Sequence, residues 1–125
     1  MDPAEEVLEF HRRLPGYAPT PLVQADENLW IKDESHRLGL PAFKMLGASW
    51  GTYHALRTRL GERLQPWRTI AELRAQVQQL KPLTLATATD GNHGRAVARM
   101  GKLLDLPTRV YLPRSAGPIR IAALE

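Results

Sequence analysis

The chain has 125 residues, 43% of them hydrophobic and 24% charged, with a net charge of +4 and no cysteine. That length suits one domain. No apolar run approaches the roughly 18 residues of a membrane span, the acidic start Met1–Glu6 lacks the apolar core of a signal peptide, and a disulfide framework or thiolate site is excluded. These features suit a cytoplasmic protein. Residues 1–34 carry eight acids and three bases, whereas residues 35–125 carry fourteen bases and five acids. The bases are scattered along predicted helices without a five-residue cluster, which argues against a nucleic-acid interface and for a solvated face or an anionic ligand.

Asp2-Pro3 reads as a cap and a first-turn proline. Val7, Phe10 and Leu14 form one face of the helix that follows, and Pro15-Gly16 stops it. Tyr17 to Pro21 must be extended, since Pro19 and Pro21 keep the residues before them out of the helical region. Asn28 to Asp33 alternates as a short strand. Glu34 to Leu40 is a loop with Gly39 as its turn residue.

The next stretch, Leu40 to Ser49, carries a single charge, Lys44, between Phe43 and Met45-Leu46. Pro41 suits a helix start, and Leu46, Ser49, Tyr53, Leu56 and Leu60 then step by three and four. Lys44 is therefore expected in the first helical turn, on a buried stretch. The helix dipole and the loss of water both disfavour an ammonium there, so its pKa should fall. A lysine made partly neutral is a nucleophile able to form a Schiff base. The alternative is a lysine snorkelling from an apolar face.

Thr69-Ile70-Ala71-Glu72 has the spacing of a capping box, with Ile70, Leu73, Val77 and Leu80 as the buried stripe of its helix. Leu83 to Ala88 is a strand. A helix starts near Asn92-His93, with Val97, Met100 and Leu104 inward, and Pro107 ends it. Arg109 to Leu112 is another strand, so this part reads as a βαβ unit with parallel strands. Gly117-Pro118 opens a last short helical segment. The fold class is α/β with an incomplete sheet, and the chain reads as the first part of a larger protein.

The turn Thr87-Ala88-Thr89-Asp90-Gly91-Asn92-His93-Gly94 joins the Leu83 strand to its helix. Its glycines let the backbone approach a ligand closely. The helix start offers unpaired N–H groups and a positive dipole end, which suit a carboxylate or phosphate. In an open parallel sheet ligands bind at this end of the strands. A plain helix cap by Asp90 or Asn92 is the competing reading.

Three phrases in this order resemble the N-terminal part of the fold-type II, tryptophan synthase β-like, pyridoxal-phosphate enzymes. They are Lys32-Asp33-Glu34-Ser35, Ala42 to Ser49 with its Phe-Lys-Met-Leu-Gly, and Thr89-Asp90-Gly91-Asn92-His93-Gly94. Tyr17 to Leu22 is similar to the family's threonine-proline-leucine opening. Within the family, an aspartate before the Gly-Asn pair resembles the diaminopropionate ammonia-lyase branch more than the threonine or serine dehydratases.

The resemblance implies that residues 1–125 are the N-terminal part of a catalytic domain that eliminates ammonia from 2,3-diaminopropionate, giving pyruvate and ammonia. Pyridoxal 5′-phosphate is the implied cofactor. Lys44 would be the Schiff-base lysine and the base for the L-isomer, and Asp90 a second base for the D-isomer. Asn92 would bond the cofactor's phenolic oxygen, and Thr89, Asp90, Gly91, Asn92 and His93 would hold the substrate carboxylate. No metal, nucleic acid or membrane partner is implied, and a homodimer is expected of the complete enzyme.

Three departures weigh against activity of this chain alone. The segment Val23–Asn28 is short, there is no Gly-Gly or Gly-x-Gly phosphate loop, and the residue facing the pyridine nitrogen is absent. A dehydratase, or a silent fragment that packs against other chains, remains the alternative function. His11 and His54 read as surface or packing residues, His36 borders the lysine loop, and His93 orders the helix start. Trp30, Trp50 and Trp67 read as packing.

Overall fold

A computed structural model describes residues 2–89 and 91–122. Helix α1 spans Pro3–Arg12, and the side chain of Asp2 caps it by accepting from the Ala4 N–H. Gly16 ends this region at φ +77°, a conformation open to glycine. Strands β1 (Leu22–Asp26) and β2 (Leu29–Lys32) form an antiparallel hairpin with Leu22 opposite Lys32. Only the second strand is expected from sequence. Both strands are exposed along their length, so no burial-driven alternation marks β1.

Helix α2 spans Lys44–Leu60 and stops at Gly61, whose φ is +56°. Its buried face is Met45, Ala48, Ser49, Thr52, Leu56 and Leu60. The stripe expected from sequence is rotated, because Met45 fills the core and Leu46 and Tyr53 sit at its edge. Helix α3 (Ile70–Val77) begins in the expected capping box. The Thr69 hydroxyl accepts from the Glu72 N–H, while Glu72 reaches back to the N–H of Arg68 rather than of Thr69.

Strand β3 (Leu85–Ala88), helix α4 (Asn92–Leu104) and strand β4 (Thr108–Tyr111) form the βαβ unit. The strands are parallel, with Leu85 beside Thr108 and Ala88 beside Tyr111. Helix α4 ends in a Schellman motif. Asp105 sits at φ +54°, the Leu106 N–H donates to Gly101 O at 2.9 Å, and the Asp105 N–H approaches Lys102 O at 3.5 Å. Gly101 is fixed by space, since a Cβ there would lie 1.9 Å from Thr108 Oγ1 and 2.9 Å from Leu106 O. A short helix α5 spans Pro118–Ala122.

The core gathers Phe10 of α1 and Leu14 just after it, the inner face of α2, Leu73 and Val77 of α3, and Ala96, Val97, Met100 and Leu104 of α4. Helix α2 packs along α4, and α4 covers one face of the β3–β4 pair. This sandwich brings the N-terminal ends of α2 and α4 to the same side. No helix among the described residues is long and apolar enough to cross a membrane.

Candidate active site

Lys44 is the first residue of α2. The residue before it, Phe43, is itself helical at φ −62°, ψ −20°, and no side chain caps the helix there. The start is held instead by Met45, which is 1% exposed, and by the Leu46 N–H donating to Phe43 O at 3.1 Å. Lys44 is half-buried, not enclosed as its apolar neighbours suggest. It lines an open pocket of about 580 Å³ with Glu34, Phe43, Leu46, Gly47, Ala48 and His93. That volume is in the usual range for small-ligand sites. The wall is mainly apolar, and at Gly47 an added Cβ would meet nothing within 4 Å, so the floor beside Lys44 is bare.

The second part of the site is the start of α4. Thr89 follows β3 directly, and its N–H donates to Tyr111 O at 3.0 Å, so the sheet fixes its position. Its Oγ1 accepts from the N–H of Gly91 at 3.1 Å and of Gly94 at 3.2 Å. Thr89 therefore does the capping that the sequence leaves open between Asp90 and Asn92. A hydroxyl has two acceptor positions and one O–H donor. Both acceptor positions are used, and the O–H has no acceptor among the described residues. Gly91 takes φ +156°, ψ −91° at the N-cap, a backbone geometry that a Cβ disfavours. Behind it the N–H groups of Asn92 and His93 have no acceptor among the described residues. One hydroxyl donor and two first-turn amides make an arrangement suited to a carboxylate.

Of the predicted site residues, Lys44 and His93 share the pocket wall. Thr89, Gly91 and Asn92 lie beside His93 in the loop without forming part of that wall, and Asn92 is exposed. Asp90 lies outside the described residues. His36 is exposed and not on the pocket wall. His54 is exposed and packs edge-on against Trp50, whereas His11 is buried, as a packing residue should be.

A polar network beside the pocket is not singled out by the sequence reading. Glu34 accepts from Arg37 Nε at 2.6 Å and Nη2 at 2.5 Å, and from the Thr20 hydroxyl at 2.6 Å. Arg37, 6% exposed, also donates to Thr20 Oγ1 at 2.7 Å and Ala18 O at 3.2 Å. Lys32 Nζ donates to Thr20 O at 2.5 Å. The Arg37 guanidinium, helped by Thr20 and opposed by partial burial, holds the Glu34 carboxyl down at about 2. The network ties the extended Ala18–Thr20 segment to the loop that carries Glu34 into the pocket. Thr20, Lys32 and Glu34 fall within the phrases Tyr17–Leu22 and Lys32–Ser35, but only the i,i+3 spacing of Glu34 and Arg37 hints at the link to Arg37.

That loop closes on a two-residue turn. Arg37 and Leu40 exchange backbone bonds of 2.9 and 3.0 Å, with Leu38 at φ +53° and Gly39 at φ +79°. Left-handed backbone at a leucine costs roughly 1–2 kcal/mol. Leu38 is 5% exposed, and its burial is worth about 2 kcal/mol in return.

Lys44 and His93, at the starts of α2 and α4, thus line one pocket, and the chain as a whole matches a known family. Residues 13–125 match the family model described as pyridoxal-phosphate dependent enzyme. The chain belongs to this family. It is similar to the diaminopropionate ammonia-lyase of Salmonella typhimurium, with 39% identity over 124 residues, covering 92% of this chain and 31% of the relative. Its fold is similar to the apo crystal structure of the Escherichia coli diaminopropionate ammonia-lyase, with a TM-score of 0.83 and 33% identity over 97% of this chain and 34% of that one. The same E. coli enzyme in complex with an aminoacrylate-PLP azomethine reaction intermediate is similar with a TM-score of 0.77 and 32% identity, over 97% of this chain and 31% of that one. The chain thus spans about a third of the length of the relatives it matches.

The fold is the expected N-terminal portion of the fold-type II architecture, and the cofactor of the family is pyridoxal phosphate. The residues present suit that group in part. A primary amine stands at the edge of an apolar pocket with a bare floor, and helix-start donors lie beside it.

Proposed function

We propose that this chain forms the N-terminal part of the catalytic domain of an ammonia-lyase that converts 2,3-diaminopropionate and water to pyruvate and two ammonia. The observation that carries the reading is the shared pocket of Lys44 and His93, which sets the amine beside the anion-binding start of α4. The similarity to named diaminopropionate ammonia-lyases supports the choice of substrate. Pyridoxal phosphate, when bound, supplies an electron sink that lets an α-proton leave an amino acid and a β-substituent follow.

The chain's own residues would then divide the work. Lys44 Nζ holds the cofactor and takes the α-proton of the L-isomer. The Asp90 carboxylate takes the α-proton of the D-isomer from the opposite side. The Asn92 amide donates to the ring oxygen of the cofactor. The Thr89 hydroxyl and the N–H groups of the Gly91–His93 turn hold the substrate carboxylate and so aim the Cα–H bond at its base. The apolar wall of Phe43, Leu46 and Ala48 lines the pocket beside Lys44. In this reading the complete enzyme is a cytoplasmic homodimer.

The test is pyruvate release from D- and L-diaminopropionate, and from serine and threonine as competitors, by the protein that carries this chain, supplied with pyridoxal phosphate. Removing a general base commonly costs roughly 10²–10⁴-fold. Asp90→Asn, which keeps any capping ability, should lose that much kcat/KM on the D-isomer and far less on the L-isomer. Turnover of threonine or serine without diaminopropionate would make the protein a dehydratase instead.

A further inference from the structure

The lysine helix begins without a cap, so something other than its own sequence must fix its first turn. Helices in that position fray, because their leading groups lack partners. Besides the core packing of Met45, a side chain of another element hydrogen-bonds to this turn: His11, near the end of α1. His11 is 5% exposed, with its Nδ1 2.8 Å from Val7 O and its Nε2 3.0 Å from Leu46 O. The Ser49 hydroxyl lies 3.2 Å from the same Nε2 and 3.0 Å from Leu46 O, and Ser49 is fully buried.

Both tautomers of the ring tie α1 to this turn. With the proton on Nε2, the ring donates to the Leu46 carbonyl. With the proton on Nδ1, it donates to Val7 O and accepts the Ser49 hydroxyl at Nε2. Phe10 packs edge-on against the ring at 5.1 Å, and Tyr17 stacks at 6.4 Å, so the imidazole has little freedom to turn away.

We propose that His11 is a positioning residue for Lys44, bracing the uncapped first turn of α2 through Leu46 and Ser49 so that the lysine faces the pocket. This rests on the reading of Lys44 as the lysine that takes the cofactor. A rigid support is what a reacting amine requires, since misplacement by about 1 Å can cost about 10²-fold in rate. His11 itself touches neither the pocket nor Lys44.

The experiment uses the protein that carries this chain and its variants His11→Leu, His11→Gln and Ser49→Ala. Val77→Ala is the control, since it removes core volume in α3 far from α2's start. Two quantities are read. The first is amide hydrogen exchange at residues 45–49 against residues 52–60 of the same helix. The second is the ratio of label at Lys44 to label at the exposed Lys102 after mixing with pyridoxal phosphate and reducing with borohydride.

His11→Leu should speed exchange at 45–49 roughly three- to ten-fold more than at 52–60, the range one hydrogen bond supports. It should also lower the Lys44 to Lys102 ratio at least about three-fold. His11→Gln, which places an amide near the Nε2 position, should recover at least half of both effects. Ser49→Ala should show a smaller change of the same kind, and Val77→Ala neither. Equal rises in both halves of α2, or the same ratio change in Val77→Ala, would reduce His11 to a core residue and overturn the proposal. A wild-type ratio near one would overturn the reading of Lys44 itself, whatever the exchange shows.

Discussion

Replacing Thr89 by valine keeps the shape and removes the hydroxyl. Two backbone donors then lose their acceptor, the N–H groups of Gly91 and Gly94. They are not equivalent. Gly94 is buried, so water cannot take the place of the hydroxyl, whereas Gly91 is half-exposed and can be rehydrated. Losing an N-terminal cap costs typically about 1 kcal/mol and up to about 2, and stranding a buried donor costs about 1–3 kcal/mol. The two estimates describe largely the same event, so about 2 kcal/mol is expected. At an unfolding entropy of about 2.1 cal/mol/K per residue, a chain of 125 residues loses about 4 °C of Tm per kcal/mol, so Thr89→Val should melt about 8 °C below the wild type. Thr89→Ser keeps the hydroxyl and should stay within about 2 °C. The assay is thermal unfolding by circular dichroism, with hydrogen exchange at Gly94 as the local readout. If serine and valine are equally damaging, the methyl group matters and the cap does not. If valine melts with the wild type, the loop is held by something other than Thr89.

Arg37→Gln tests the polar network through its pH dependence. Because the Glu34 carboxyl is held from 4.5 down to about 2, chiefly by Arg37, its contribution is present above pH 4.5 and fades as pH falls toward 2. The full shift corresponds to about 3 kcal/mol. With the carboxylate 21% exposed, about 1–2 kcal/mol is expected at pH 7. The variant should lose that much more at pH 7 than at pH 2 in urea unfolding, since its bonds to Thr20 and Ala18 are lost at both, and equal losses at both pH values would refute the linkage. Gly101→Ala should destabilise by about 1–3 kcal/mol despite alanine's better helix propensity, because the Leu106 carbonyl at 2.9 Å is backbone and cannot yield cheaply; an unchanged or raised Tm would show that the α4–β4 junction relaxes. In the protein that carries this chain, Lys44→Ala should cut the total borohydride-trapped pyridoxal phosphate to background, read by mass spectrometry, and an unchanged total carried on other lysines would remove Lys44 from the site.

What the sequence made legible was local. The Asp2 cap, the Thr69–Glu72 box and the α4 start each depend on residues within one turn of each other, and each is found where expected. The parallel pairing of β3 and β4 followed from the length of α4 between them. Less legible were contacts made across the chain. Strand β1 was missed because its residues face solvent and carry no alternating burial. The α2 stripe was rotated because α4 and α1 decide which side of the helix is inside, and its own apolar residues occur nearly all round. The Thr20–Glu34–Arg37 network spans up to 17 residues and uses types common on any surface. The two site motifs were visible as separate stretches, 45 residues from Lys44 to Thr89. Only the packing of α2 on α4 shows that Lys44 and His93 share a wall.

The two halves of the site are fixed by different physics. The loop is set by backbone geometry: the sheet pins Thr89, Thr89 binds the first amides of α4, and Gly91 makes the turn that only a residue without Cβ adopts easily. Each of these is short-range and survives as long as the βαβ unit does. The lysine has no such local frame. Its helix starts on a residue without a cap, and what holds it is Met45 in the core and His11 from α1. Glu34, which the Arg37 loop carries into the same pocket, approaches it from a third direction. A chain that loses α1 or the residues 18–40 should therefore keep the anion-binding start of α4 and lose the placement of Lys44. In the proposed reading, damage of that kind would leave the carboxylate-holding turn intact while removing the amine that acts on what is bound there. It follows that residues outside the three recognisable motifs, His11 and Arg37 first, decide whether the motifs form one site.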